Sequence, residues 1–150
     1  MQKEIVLHPE AQDLKDLGFA EVCFRYIYTG DTGNNVDIPC EVLPSKAKNY
    51  NEDDLCVSTP TYSQAFEFFE EKFKLFSTLE VDQTMEPKFG YSIAEFFEDD
   101  GGFFDWKNIM SSYLYYTRQE SKLECLRELI KIAKNIKQYD KQTQSIKFAF

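Results

Sequence analysis

The clearest pattern in the chain is an apolar stripe at helical spacing over residues 62–76. The stripe residues recur every three or four positions: Tyr62, Ala65, Phe66, Phe69, Phe73 and Phe76. Such spacing is typical of a helix that buries one face. Thr61 and Gln64 have the spacing of a capping box, in which each side chain bonds the backbone amide of the other. The sequence therefore predicts a buried helix that begins after Thr61.

A second apolar stripe predicts another long helix near the end of the chain. Thr117 and Glu120 form a second capping-box pattern, and the stripe follows at Leu123, Leu126, Leu129, Ile130, Ile132, Ala133 and Ile136. After Ile136 the composition becomes polar. We therefore expect a frayed polar tail over 137–150, in which 146–150 either forms an edge strand or stays loose.

Runs rich in aromatic and β-branched residues predict strands between and before these helices. The first pair is 22–28 and 36–43, joined by a Gly- and Asn-rich turn at 29–35, and Pro39 places the second strand at a sheet edge or a bulge. Further strands are expected at about 78–85, 89–97 and 111–116. Residues 103–110 fit either a short helix or an irregular segment, and 44–54 fits a solvated loop.

The order of these elements favours an α+β fold, because the strands cluster without a regular βαβ alternation. A short helix from Pro9 to Gly18 precedes the first strand. We expect two layers, with a mostly antiparallel sheet of about five strands packed against two main helices and this short helix. The predicted domain organisation is one domain over 1–136 and a polar tail over 137–150.

Composition narrows the classes of function. The 150 residues carry a formal net charge of −9, which disfavours binding to nucleic acid or to anionic membranes. The single histidine, His8, leaves little for proton transfer or metal ligation at neutral pH, and no cofactor motif is present. No apolar run is long enough to span a membrane. The four cysteines lack C-x-x-C spacing, which indicates buried free thiols and a cytoplasmic protein.

One segment combines acids with aromatics and is the candidate site. Its aromatic residues are Phe96, Phe97, Phe103, Phe104 and Trp106, and Glu98, Asp99 and Asp100 lie between them. Adjacent aromatics on a strand point to opposite faces, so one ring of each pair would be exposed unless a helix or a second subunit covers it. An exposed aromatic patch bordered by carboxylates is a surface that fits a protein partner.

The same carboxylates suggest a different chemistry. Paired acids can act as acid and base or bind Mg²⁺ or Ca²⁺ through oxygen, and the cluster comprises Glu95, Glu98, Asp99, Asp100 and Asp105. Its acids are consecutive, whereas an EF-hand loop alternates them and closes with a glutamate. A solvated hairpin turn is the simpler interpretation.

The element order also carries a resemblance. It comprises residues 14–24 (LKDLGFAEVCF), 58–73 (STPTYSQAFEFFEEKF) and the helix from Glu120 to Asn135 after a Tyr-rich strand. In these features the chain resembles a group of small uncharacterised proteins encoded by phages and mobile elements of gut bacteria. The resemblance implies a genomic setting and a compact α+β domain, and it implies no chemistry.

The leading hypothesis is a non-enzymatic accessory protein of a phage or mobile element that binds a protein partner through the aromatic, acid-rimmed surface. Two alternatives stay open. One is a small metal-assisted hydrolase that uses the carboxylates of 95–105. The other is a structural homo-oligomer that buries its aromatics between subunits.

Overall fold

The computed structural model consists of helices and antiparallel strands. It describes residues 4–30, 38–83 and 88–148. The chain divides into two compact units, Met1–Phe68 and Phe69–Phe150. The predicted α+β class is confirmed. The described strands form two three-stranded antiparallel sheets, whereas the sequence suggested about five strands in one sheet. Whether residues 1–136 fold as one domain stays a prediction.

The first unit contains a small sheet with the order β2-β1-β3. Its strands are β1 (Arg25–Tyr28), β2 (Ile38–Glu41) and β3 (Cys56–Ser58), and both pairings are antiparallel. The edge position predicted from Pro39 is confirmed, because Pro39 lies on β2, opposite Ile27. The predicted turn at 29–35 falls largely outside the described residues.

Helix α1 (Glu10–Leu17) lies where the sequence predicts it, between Pro9 and Gly18. It buries Leu14 and Leu17, the two apolar positions three residues apart. The predicted loop at 44–54 contains two 3₁₀ turns, Pro44–Lys46 and Tyr50–Glu52.

Polar side chains tie this loop to the rest of the first unit. The Nδ2 of Asn51 donates to the carbonyl of Phe19 at 2.9 Å, and its Oδ1 accepts from the amide of Ser58 at 2.8 Å. The Ser58 hydroxyl accepts from the amide of Tyr50 at 3.0 Å. Because Phe19, Ser58 and Tyr50 are buried, these bonds satisfy backbone groups that water does not reach.

Helix α2 (Tyr62–Phe73) begins as predicted and ends earlier. The capping box is present, since the Gln64 amide donates to Thr61 Oγ1 at 3.2 Å and the Thr61 amide donates to Gln64 Oε1 at 3.0 Å. The assignment of Phe76 to this helix is wrong. Lys74 adopts a left-handed conformation (φ 56°), which ends the helix and places Phe76 on the next strand.

The second unit is a three-stranded meander with the order β4-β5-β6, followed by one long helix. Its elements are β4 (Leu75–Asp82), β5 (Lys88–Glu98), β6 (Phe104–Tyr115) and α3 (Arg118–Phe148). Strands β4 and β5 lie close to the predicted strands. Strand β6 includes the predicted strand at 111–116 as far as Tyr115, and also most of 103–110, which the sequence left ambiguous.

Helix α3 contacts all three strands of this sheet and covers one of its faces. Buried residues of the helix include Cys125, Leu126, Leu129, Ile130 and Ala133, and buried residues of the strands include Leu75, Tyr91 and Ile93. The hydroxyl of Ser121 donates to the carbonyl of Gly90 at 2.8 Å, which fixes the start of the helix to β5.

The prediction of a polar tail after Ile136 is wrong in its conformation. Residues 137–148 continue α3, and the suggested edge strand at 146–150 is helical as far as Phe148, with 149–150 outside the described residues. The segment is rich in Lys and Gln, which are good helix formers, and has no Gly or Pro to stop the helix.

Candidate functional site

The eight residues predicted to bind a partner lie on one hairpin, formed by the end of β5, the start of β6 and the loop between them. Asp99 organises this loop. Its Oδ1 accepts from the amides of Gly101 at 2.9 Å and Phe103 at 2.8 Å, and its own amide donates to the carbonyl of Phe103 at 2.8 Å. Gly102 has φ +79°, a conformation that favours glycine. The turn is therefore locally specified.

Four aromatic rings, three from this hairpin and one from β4, gather on one face of the sheet. Phe96 stacks on Phe104 with ring centroids 5.3 Å apart, and its centroid lies 4.9 Å from that of Trp106. The Trp106 centroid in turn lies 4.8 Å from that of Phe76 on β4, with the rings nearly perpendicular. The register agrees, because Phe96 is opposite Trp106 and Glu98 is opposite Phe104. We call Phe76, Phe96, Phe104 and Trp106 the aromatic face.

Much of the aromatic face is open to solvent. Phe104 is 66% exposed and Trp106 is 55% exposed, whereas Phe96 is half-buried between them. Phe97 alternates to the opposite side of β5, the side that also carries Tyr91 and Ile93, and is 36% exposed. Phe103 lies in the loop and is 73% exposed. The structure thus brings together three of the five predicted aromatics, and Phe97 is not among them.

The carboxylates border the aromatic face at the loop end of the hairpin. Glu98, Asp99 and Asp100 are exposed, and Asp99 is already engaged in the turn. Asp105 Oδ1 accepts from the Trp106 amide at 2.7 Å. Within residues 4–30, 38–83 and 88–148, no three Asp, Glu, His or Cys side chains are grouped as a metal site. The metal-assisted alternative therefore gains no support from this geometry.

Phe76 is the member of the aromatic face that the sequence analysis did not identify. Its helical spacing from Phe69 and Phe73 assigned it to the buried stripe. Further along the same face the surface becomes polar, where the Glu80 carboxylate accepts from the hydroxyls of Ser92, at 3.0 Å, and Tyr113. The hydrogen bond to Glu80 raises the pKa of the exposed Tyr113. The aromatic face is therefore limited to the loop end of the sheet.

Two of the four cysteine thiols, Cys23 and Cys125, are fully buried in the core. Burial raises the pKa of the Cys23 thiol to about 11 and that of the Cys125 thiol to about 12. Neither thiol is therefore a nucleophile at neutral pH. Cys56 is also buried, so the prediction of buried, free thiols is confirmed for three cysteines, whereas Cys40 is free but only half-buried. His8 is exposed beside the start of α1.

The first unit has an apolar cavity of about 310 Å³ whose lining includes Ile5, Phe24 and Val42. The charged residues of its wall include Arg25 and Glu41, which form an ion pair at 2.6 Å. The Arg25 guanidinium is thus already engaged by a carboxylate, and the cavity shows no convergent set of catalytic groups.

Comparison of the chain with protein-family models, curated proteins and solved structures gives no match. In the part of the chain that the structure describes, no helix is both long and apolar enough to cross a membrane.

Proposed function

We propose that this chain is a non-enzymatic accessory protein that binds a protein partner through the aromatic face. The observation that carries the proposal is the exposure of Phe104 and Trp106 within an ordered cluster of rings. The genomic setting implied by the resemblance, a phage or mobile element, and a cytoplasmic location belong to the same proposal.

The physical basis is that the rings are both exposed and held in place. Aromatic side chains bury a large area on binding and lose few rotatable bonds, so they dominate the energetics of protein interfaces. Here Phe104 is stacked on Phe96, and Trp106 packs against Phe76, so part of the ordering cost is met before a partner arrives. The carboxylates around the face would form a polar rim.

The proposal is tested by affinity capture from lysate of a bacterial host with tagged protein. Wild type is compared with a Phe104→Ala/Trp106→Ala variant that retains its circular dichroism spectrum. The matched control is Leu114→Ala/Tyr116→Ala, which removes two side chains that are even more exposed, at and just beyond the other end of β6. We expect a partner retained by wild type and by the control variant, and lost by the aromatic-face variant. Equal retention by all three, or by none, contradicts the proposal.

A homo-oligomer is the second candidate, because exposed apolar side chains continue along β6 as far as Leu114. Its discriminator is the mass in solution. A stable dimer whose dissociation follows Phe104→Ala/Trp106→Ala would assign the aromatic face to self-association.

A further inference from the structure

The outer edge of β6 leaves backbone groups without a strand partner. The sheet order is β4-β5-β6, and no described strand pairs with the outer side of β6. The Trp106 amide donates to its neighbour Asp105 at 2.7 Å, so it points away from β5 and towards this edge. The bond from the Asp99 amide to the Phe103 carbonyl directs Phe103 inward. By alternation, Phe104 and Trp106 direct their amides and carbonyls outward.

The residues with outward backbone groups also carry the exposed rings. Phe104 and Trp106 belong to the aromatic face, and Asn108 is the next residue in the same alternation before the register shift between Ile93 and Ala94. A strand added along Phe104–Asn108 would therefore meet hydrogen-bonding groups and aromatic rings at the same positions. This is the arrangement by which a sheet edge recognises an extended peptide, with backbone bonds for affinity and side chains for specificity.

Charge indicates which extended segment fits. Residues 98–107 contain four acids, Glu98, Asp99, Asp100 and Asp105, and one base, Lys107. A basic segment would be attracted to this end of the hairpin. A second copy of the chain is disfavoured by comparison, since each copy has a net charge of −9.

We propose that Phe104–Asn108 binds an extended, basic segment of the protein partner as a fourth strand of the sheet. In the free chain the Trp106 amide donates to the Asp105 carboxylate. On binding, this amide donates instead to a carbonyl of the added strand. The released carboxylate then faces a Lys or Arg of the segment. This inference rests on the proposed function and specifies the class of partner.

The test uses the full chain and a blocked peptide of four Lys-Val repeats, which has the charge and the two-residue period of such a strand. Trp106 is the only tryptophan, so its fluorescence reports binding at the site. Amide hydrogen exchange is then followed by NMR. We expect exchange at Phe104, Trp106 and Asn108 to slow by at least about tenfold when the peptide is bound, with little change at Asp105 and Lys107.

A substitution at Asp105 gives a second readout. Asp105→Ala removes both the group that occupies the Trp106 amide and one negative charge. We expect this variant to bind the Lys-Val peptide more weakly and an uncharged Thr-Val peptide of the same length more tightly. Equal changes for both peptides contradict the exchange of hydrogen bonds.

Three outcomes overturn strand addition: no binding, binding without the alternating protection, and a free protein that is dimeric with these amides already protected. The two proposals fail separately. Capture that depends on the aromatic face, without alternating protection, leaves the proposed function standing and removes strand addition. Alternating protection by the peptide, with no partner captured from the lysate, removes the proposed function and leaves strand addition at this edge standing.

Discussion

The two sheets of this molecule differ in the length and composition of their edge strands. The first sheet has strands of four, four and three residues, and its edge strand β2 contains Pro39, which cannot donate to a neighbour. The second has strands of eight, eleven and twelve residues, and its edge strand β6 has no proline. Natural proteins protect long edges because open backbone groups invite pairing. The β2 edge of the first sheet is therefore protected against an added strand at Pro39, whereas no proline protects the β6 edge of the second sheet.

The two sheets also depend on different stabilising contacts. In the first unit, Asn51 and Ser58 connect a loop to its surroundings through hydrogen bonds to buried backbone groups. In the second unit, strand-to-strand packing and the cover of α3 are the main features. Substitutions in the first unit should therefore destabilise it by leaving buried polar groups unsatisfied. Substitutions in the second unit should act by disturbing the packing of strands and helix.

The largest effect is expected from Gly90→Ala on β5. A Cβ at this position would overlap the Ser112 carbonyl oxygen and the Tyr113 ring on the neighbouring strand. We expect the free energy of unfolding to fall by about 3 kcal/mol, because the Ser112 carbonyl oxygen belongs to the paired backbone of β6 and cannot move aside without disturbing the strand. Urea unfolding measures this value. Gly101→Ala in the exposed loop is the control and should change stability by less than about 1 kcal/mol. Similar losses for both variants would contradict the close strand approach.

A smaller loss is expected from Asn51→Ala in the first unit. The substitution leaves the Phe19 carbonyl and the Ser58 amide without their side-chain partner. We expect a loss of about 2 kcal/mol in the same unfolding measurement. Asn108→Ala on the exposed edge of β6 is the matched control and should lie within about 0.5 kcal/mol of wild type. An Asn51 variant as stable as this control would show that the loop is held by other contacts.

Alkaline pH should weaken both units through their buried thiols. Folding raises the pKa of Cys23 from 9.0 to about 11 and that of Cys125 from 9.0 to about 12. Below pH 9 both states keep these protons, so the full stability is present there. As the pH rises above 9 the unfolded chain loses them first, and stability falls.

The expected loss by pH 10 is about 1 kcal/mol for each thiol, measured as the difference in unfolding free energy between pH 8 and pH 10. Cys23→Ala and Cys125→Ala should each reduce this difference by a similar amount, one in each unit. A difference that neither variant reduces would assign the alkaline effect to other groups.

The smallest effects are expected at the two helix caps. Thr61→Ala removes the acceptor for the Gln64 amide at the start of α2, and Thr117→Ala removes the one for Glu120 at the start of α3. We expect each to cost about 1 kcal/mol, with Thr117→Ala the smaller because that cap is exposed. The corresponding Ser variants keep the hydroxyl and should retain most of the stability in thermal unfolding. Equal losses for Ala and Ser would exclude capping as the cause.

Local signals in the sequence were sufficient for several elements. Both predicted capping boxes, at Thr61 and at Thr117, are present. Each depends on residues within a single helical turn, so its spacing in the sequence determines its geometry. The edge position of the strand that contains Pro39 could be predicted because proline has no amide donor, which is also a property of a single residue.

The elements that were missed depend on distant partners. Strand β6 is exposed on many positions and lacks a clear alternation, so its conformation is specified by pairing with β5 and by the Asp99 turn. Phe76 has helical spacing from Phe69 and Phe73 although α2 ends before it. It was assigned to the helix because no sequence signal marks the left-handed Lys74 that ends α2. For the candidate site, the sequence identified the segment and its acidic turn but left 103–110 ambiguous. Only the register of the strands groups Phe96 with Trp106 and adds Phe76.

The distal part of α3 has a consequence for how this molecule responds to heat. Most side chains of residues 138–147 are exposed, although the helix continues there for nearly three more turns. Helix without a buried face depends on local propensity alone, and such segments unwind gradually. We therefore expect ellipticity at 222 nm to decline steadily well below the main transition, as this end of the helix melts from its terminus while both sheets remain intact.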